Sequence, residues 1–229
     1  MTAESARPAI DLLIFDLDGT LIDSKLDIAS SVNAARAHLG LDPLEVPLVL
    51  TYVGHGAPVL VRKALGARAT EDAVAEALQF FLEHYREHAL DTTRLYPGVA
   101  ESLERLHAAG KRLAVLTNKP VAVSRTILAG LCVSRFFFQI YGGNSFSAKK
   151  PDPAGVEKLM SEAGIGRAGT MIVGDSAVDV ETARNSGVRA CGVTYGFSHE
   201  GFDRNPPDLL IDRMEDLADW VLRKSGETD

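Results

Sequence analysis

The chain predicts an α/β fold in which a mainly parallel sheet is flanked by helices and a purely helical unit is inserted near its start. Three observations predict it. From Tyr96 onward, helical and strand-like patterns alternate, the order that builds a parallel sheet covered on both faces. Between Ser24 and Arg94, helical patterns follow one another without a strand-like run. Asp16, Thr117 and Asp175 each fall at or just past the end of an apolar run, where the ligand crevice of such a sheet opens.

Each element has its own signal. Ile10, Leu12, Leu13, Ile14 and Phe15 make an apolar run suited to a buried strand. Leu26 to Leu39 carries Ile28, Val32, Ala35 and Leu39 at helical spacing, and Gly40 follows as a stop. Ala57 to Leu65 has Pro58 near its start and Gly66 after its end. Thr70 to Ala89 opens on a capping threonine and runs through Val74, Leu78, Phe81, Leu82 and Tyr85. Pro97-Gly98 then opens a helix over Val99 to Ala109, closed by Gly110.

A strand over Arg112 to Leu116, a helix over Val121 to Leu128 and an apolar segment over Phe136 to Tyr141 follow. Next come a helix (Ala154 to Ala163), a strand (Thr170 to Val173), a helix (Ala177 to Ser186) and a strand (Val188 to Val193). Leu209 to Ile211 and Met214 to Arg223 read as a short strand and a final helix. The sum is a Rossmann-like core over residues 1–22 and 94–229 with a helical cap over residues 23–93.

Composition narrows the function classes. A chain of 229 residues is long for one compact core and comfortable for a core plus a smaller unit. The net charge of −7 and the scattered basic doublets argue against a nucleic-acid partner. No apolar run approaches the ~18 residues of a membrane span, and Met1 to Pro8 is short and polar, without the apolar stretch of a secretion signal. Cys132 and Cys191 lack metal-type spacing, which suits a reducing cytoplasm. The tail Ser225 to Asp229 reads as frayed. Nothing in the sequence sets an oligomeric state.

Four short segments carry chemistry. In Phe15-Asp16-Leu17-Asp18-Gly19-Thr20, two carboxylates leave a buried strand two residues apart. Each raises the pKa of the other unless a cation neutralises them, so the pair suits a magnesium site or a carboxylate nucleophile. An acidic turn after a core strand is the plainer alternative. Thr117-Asn118-Lys119-Pro120 sets a hydroxyl and backbone amides ahead of a helix, either as a phosphate cradle or as a helix cap. In Lys149-Lys150-Pro151-Asp152-Pro153 the prolines fix the backbone around a lysine that could neutralise phosphoryl charge, or a solvated basic loop precedes a helix. In Gly174-Asp175-Ser176-Ala177-Val178-Asp179, the two aspartates lie about one helical turn apart, and Asp175 or Ser176 could also cap the helix.

Together, in this order, these segments resemble the four signature motifs of the haloacid dehalogenase-like hydrolase superfamily. The resemblance covers nearly the whole core. It implies that Asp16 is a nucleophile that becomes phosphorylated and Asp18 the general acid and base. It implies further that Lys150, immediately before the first proline, is the catalytic lysine, and that Lys149 lies on the surface. Thr117 and Asn118 would bind phosphoryl oxygens. Magnesium would be held by Asp16, Asp175 and the backbone carbonyl of Asp18, with Asp179 in support. Thr117 to Pro120, Gly192-Val193-Thr194-Tyr195-Gly196 and Val53-Gly54-His55-Gly56-Ala57-Pro58 are more closely similar to phosphoglycolate phosphatases. His55 departs from the other polar residues common there, which bears on substrate more than on chemistry.

The expected function is therefore a magnesium-dependent phosphatase for a small phosphorylated metabolite, foremost 2-phosphoglycolate. His55, between two glycines, is a candidate to bind the substrate's distal end. A phosphosugar mutase of beta-phosphoglucomutase type shares all four motifs, and a catalytically inactive phospho-ligand-binding module is the rival of another class. His84 and His88, four apart beside Glu83 and Glu87, read as a solvated helix face rather than a metal pair. Phe136, Phe137 and Phe138 read as strand core, and Trp220 as the residue that pins the last helix.

Overall fold

A computed structural model describes residues 9–223. The polar start (1–8) and the tail read as frayed (225–229) lie outside them. Among the described residues the sheet has six strands, β1 (Leu12–Phe15), β4 (Arg112–Leu116), β5 (Gln139–Tyr141), β6 (Thr170–Gly174), β7 (Arg189–Val193) and β8 (Leu209–Ile211). Their spatial order is β5-β4-β1-β6-β7-β8, and every pair is parallel. This is the α/β architecture that the alternation predicted.

The period-2 geometry of a strand divides β1 between two cores. Leu13 and Phe15 face α5 (Val99–Ala108), α6 (Val121–Gly130) and α9 (Met214–Leu222), where Leu103, Leu106, Ile127, Met214 and Leu217 are buried. Leu12 and Ile14 face α7 (Ala154–Ala163) and α8 (Ala177–Ser186), against Val156, Leu159, Val180 and Ala183. Each such side chain contributes about 1.5–3 kcal/mol on burial, so β1 is held from both sides at the centre of the sheet. Trp220 packs, partly buried, on the first core.

Between β1 and α5 lie four helices: α1 (Lys25–His38), α2 (Val46–Leu50), α3 (Ala57–Leu65) and α4 (Glu71–His88). The Thr70 hydroxyl caps α4 by accepting from the Ala73 amide at 3.2 Å. The helices share a core of Ile28, Val32, Val49, Leu60, Val61, Phe81 and Tyr85. A two-stranded antiparallel ribbon, β2 (Ile22–Asp23) with β3 (Arg94–Leu95), joins their two ends. Asp27 is buried beside it. Its carboxylate accepts from the Thr93 amide (2.8 Å) and hydroxyl (2.7 Å), and from the Thr92 hydroxyl (2.5 Å) and amide (3.0 Å).

Three local expectations need correction. The region from Ser24 to Arg94 is not free of strand, because Arg94 pairs with Asp23; two-residue strands are too short to carry an alternating pattern. Helix α2 lies in a stretch to which the sequence pattern assigned no element; Pro47 sits in its first turn, where no amide is needed. Phe136 to Phe138 do not lie in the strand. Phe136 closes a 3-10 turn begun at Ser134, and β5 starts at Gln139. Phe136 and Phe137 are buried all the same, while the Phe138 ring lies 4.1 Å from the Arg112 guanidinium.

Candidate active site

The carboxyl ends of β1, β4 and β6 bring the motif residues together. The Asp16 amide continues the ladder by donating to the Val173 carbonyl at 2.8 Å, and the Thr117 amide donates to the Tyr141 carbonyl at 3.1 Å. Asp16 and Thr117 therefore leave adjacent strands side by side, and Asp175 leaves the strand on the other side of β1. Helix α6 is capped at Pro120 and α8 at Ser176, so Thr117, Asn118 and Asp175 are not spent as helix caps.

Lys150 is buried beneath them. Its ammonium lies 2.6 Å from Asp179 Oδ1 and 3.0 Å from Asp16 Oδ1. Asp16 Oδ1 is itself buried and holds the Lys150 ammonium as its ion-pair partner. Asp179 has both oxygens engaged, the second accepting from the Ser176 hydroxyl at 2.6 Å and amide at 3.2 Å. Asp175 is buried and accepts from the Phe197 amide at 2.7 Å.

Backbone walls Asp175 in. A β-carbon at Gly19 would stand 2.1 Å from Asp175 Oδ2, and one at Gly196 would stand 2.2 Å from Asp175 Cβ. Gly19 also has a φ of +79°, the left-handed region that suits glycine.

Electrostatically the centre is short of positive charge. Burial pushes the Asp16 carboxyl up to about 6 against the pull of Lys150, with Asp179 adding to the rise. Burial likewise lifts Asp175 well above the usual carboxylate range, helped by Asp179 and Asp16. Burial works against a charge on Lys150, but Asp16 and Asp179 outweigh it and keep the ammonium protonated. Ligand oxygens of Asp16, Asp175 and Asp179 lie within 4.8 Å of one another. Crowded hard oxygens fit a small divalent cation such as magnesium.

Asp18 faces elsewhere. Its carboxylate accepts from the Ser24 hydroxyl at 2.5 Å and from the Lys119 ammonium at 2.7 and 2.8 Å. Only its backbone carbonyl is left for a metal. Lys119, to which the sequence reading gave no role, is buried and also donates to the Tyr85 hydroxyl on α4 at 2.7 Å. Burial disfavours its charge, yet Asp18 and Tyr85 more than restore it. Burial pushes the Tyr85 hydroxyl itself up to about 12, so it keeps its proton.

A cavity of about 70 Å³ opens here, between the sheet and the inserted helices. Asp16, Asp18, Thr117, Asn118, Lys119 and Asp175 line its floor, and Leu50, Val53, Leu60, Phe81 and Tyr85 its roof. Asn118 fastens the two halves by donating to the Gly54 carbonyl at 2.9 Å and to the Lys150 carbonyl at 3.0 Å. His55 is exposed and absent from the lining, so the structure does not bring it to the other candidates. Lys149 is half-buried rather than on the open surface, its ammonium 3.0 Å from where a β-carbon of Gly56 would stand. His84 and His88 stack at 4.2 Å and hydrogen-bond to Ser31 (3.0 Å) and Asp91 (2.8 Å).

The haloacid dehalogenase-like hydrolase model matches residues 13–193, which span β1 to β7 and every lining residue of the floor. The chain belongs to that family. It is 40% identical over 223 residues to a phosphoglycolate phosphatase of Pseudomonas fluorescens (strain Pf0-1), a match covering 94% of this chain and 81% of the relative. It is 36% identical over 219 residues to a phosphoglycolate phosphatase of Vibrio parahaemolyticus, covering 93% and 96%. A crystal structure of a predicted phosphoglycolate phosphatase from Haemophilus somnus 129pt superposes with a TM-score of 0.87 at 35% identity, covering 91% of this chain and 96% of the other. As a haloacid dehalogenase-like hydrolase of the phosphoglycolate phosphatase-like kind, the chain is an enzyme. Its cavity is the candidate active site.

Proposed function

We propose that this hydrolase is a magnesium-dependent phosphatase that converts 2-phosphoglycolate to glycolate and phosphate through a phosphorylated Asp16. The observation that carries the reading is the convergence of Asp16, Asp18, Thr117 and Asp175 on one cavity at the strand ends, with the Lys150 ammonium 3.0 Å from Asp16. A carboxylate fixed beside a cation and facing a cavity can serve as a nucleophile. The similar phosphoglycolate phosphatases support the substrate.

Asp16 attacks phosphorus in line with the ester oxygen. The new bond joins Asp16 to phosphorus as the old bond to the ester oxygen breaks. Asp18, entering the step as the carboxylic acid, supplies the proton that this oxygen needs on leaving and becomes the carboxylate. Water then attacks the phosphorylated Asp16, gives a proton back to Asp18, and phosphate leaves with the carboxylate restored. Thr117, the Asn118 backbone amide and Lys150 orient the phosphoryl oxygens, and Lys150 offsets their charge. Asp16, Asp175 and the Asp18 carbonyl would hold magnesium, with Asp179 keeping Lys150 in place. Bound there, magnesium neutralises charge on the phosphoryl group and on its attacking carboxylate.

The unit over residues 23–93 acts as a cap that closes on the substrate and shuts out bulk water. No described helix is long and apolar enough to cross a membrane. Cys132 and Cys191 are free thiols, consistent with work in the cytoplasm.

Phosphate release from a panel of phosphorylated metabolites, with magnesium or with chelator, tests this reading. The expected result is the highest kcat/KM for 2-phosphoglycolate and none in chelator. Full activity in chelator would refute the metal, and transfer of the phosphoryl group between sugar positions would mark a mutase.

A further inference from the structure

On the reading of 2-phosphoglycolate as substrate, we propose that Lys119 and Tyr85 together bind the substrate's carboxylate and set the preference for an anionic tail. A carboxylate entering this cavity needs a cation, because Asp16, Asp18 and Asp175 already line it. Among the described residues of the lining, Lys119 is the only cation. Lys150 is turned to Asp16 and Asp179. His55, the sequence candidate for this contact, is exposed and outside the lining.

The distances agree with the substrate's dimensions. Asp18 must come within about 3 Å of the ester oxygen to protonate it. Lys119 Nζ is 2.7 and 2.8 Å from the Asp18 carboxylate. In 2-phosphoglycolate one methylene separates the ester oxygen from the carboxylate, so the carboxylate oxygens lie within roughly 3–4 Å of it. An ammonium that touches Asp18 is therefore within hydrogen-bonding reach of the tail.

The donors are also available. An ammonium has three N–H groups; two now point at Asp18 and one at Tyr85. A tail carboxylate can take one of the two aimed at Asp18, which leaves Lys119 in contact with Asp18 and releases one Asp18 oxygen toward the ester. The Tyr85 hydroxyl accepts from Lys119, so its own proton remains for an acceptor in the cavity that it lines. One donor comes from the core and the other from the inserted helix α4, so the anion would be gripped from both halves.

The test compares 2-phosphoglycolate with 2-phosphoglycolamide, an ester of the same shape with an uncharged tail, in the wild type, Lys119→Met and Tyr85→Phe. The readout is the ratio of kcat/KM for the acid over the amide, in which any damage to Asp18 common to both esters cancels. The wild type should prefer the acid. Lys119→Met should cut that ratio by roughly tenfold to a hundredfold, and Tyr85→Phe by about fivefold, in keeping with a charge-assisted and a weaker hydrogen bond. If Lys119→Met does not fold, Tyr85→Phe and competitive inhibition by glycolate in that variant decide the matter. An unchanged ratio in the variants, or equal losses on both esters, would overturn the proposal and leave Lys119 as a support for Asp18. A wild type that cleaves both esters equally would overturn it while leaving the phosphatase intact. A wild type that cleaves neither would refute the underlying reading as well.

Discussion

Lys150 Nζ stands 2.6 Å from Asp179 Oδ1, and this buried pair sits directly behind Asp16. Asp179 in turn is pinned by Ser176 at the start of α8. The position of the lysine is therefore set by a helix terminus and not by its own flexible stem. Lys150→Met should remove the cation that offsets both aspartates. We expect kcat to fall about a hundredfold to a thousandfold, the worth of a preorganised charge at the reacting centre. Stability should also drop by about 3–5 kcal/mol, since Asp179 is left buried and unpaired. Steady-state kinetics and denaturant melts read the two effects separately. A variant with normal kcat would contradict the role given to this lysine.

Asp18→Ala should slow turnover of an alkyl phosphate by about two to four orders of magnitude. An aryl phosphate, whose leaving group needs no proton, should suffer much less. Equal losses on the two would be inconsistent with proton transfer by Asp18.

The acidic centre makes the metal-free protein sensitive to pH. Burial raises Asp16 from the ordinary 3.8 to about 6 in the folded state, and Asp175 rises in the same direction. A folded pKa above the unfolded one contributes stability that is present below the unfolded value and lost as the pH rises through the folded one. The metal-free protein should therefore lose this contribution as the pH climbs from about 4 to above 6. Magnesium should raise Tm strongly at about pH 7.5 and little at about pH 5. A larger magnesium shift at the lower pH would contradict the assignment of these carboxylates.

Asp27 tests the join between the two units. Asp27→Ala would strand the amides and hydroxyls of Thr92 and Thr93, which all donate to it. The expected cost is about 3 kcal/mol, read as a lower urea midpoint. A loss under about 1 kcal/mol would mean that water replaces the carboxylate there.

How far the sequence could be read follows from the range of each signal. Asp16, Thr117, Lys150 and Asp175 announce themselves through neighbours in the chain, such as an apolar run before and a glycine or proline after. Lys119 has no such signature. Its partner Asp18 is 101 residues away and Tyr85 is 34 away, so only the fold brings them together. One hint was available: a lysine between Asn118 and Pro120, directly after a buried strand, has little route to solvent. Asp27 was hidden in the same way, looking like an ordinary first-turn acid until Thr92 and Thr93 closed on it across 65 and 66 positions. His55 misled in the opposite sense, because flanking glycines suggest reach without saying in which direction.

The walls that Gly19 and Gly196 form around Asp175 have a consequence for how this protein can change. At Gly19 or Gly196 even one added methyl group would collide with Asp175, so small substitutions there disturb the reaction itself. On the roof, Leu50, Val53, Leu60 and Phe81 present replaceable alkyl and aromatic groups, where volume-conserving exchanges cost little. New substrates are thus open to this scaffold through its inserted helices, while the chemistry beneath is passed on unaltered.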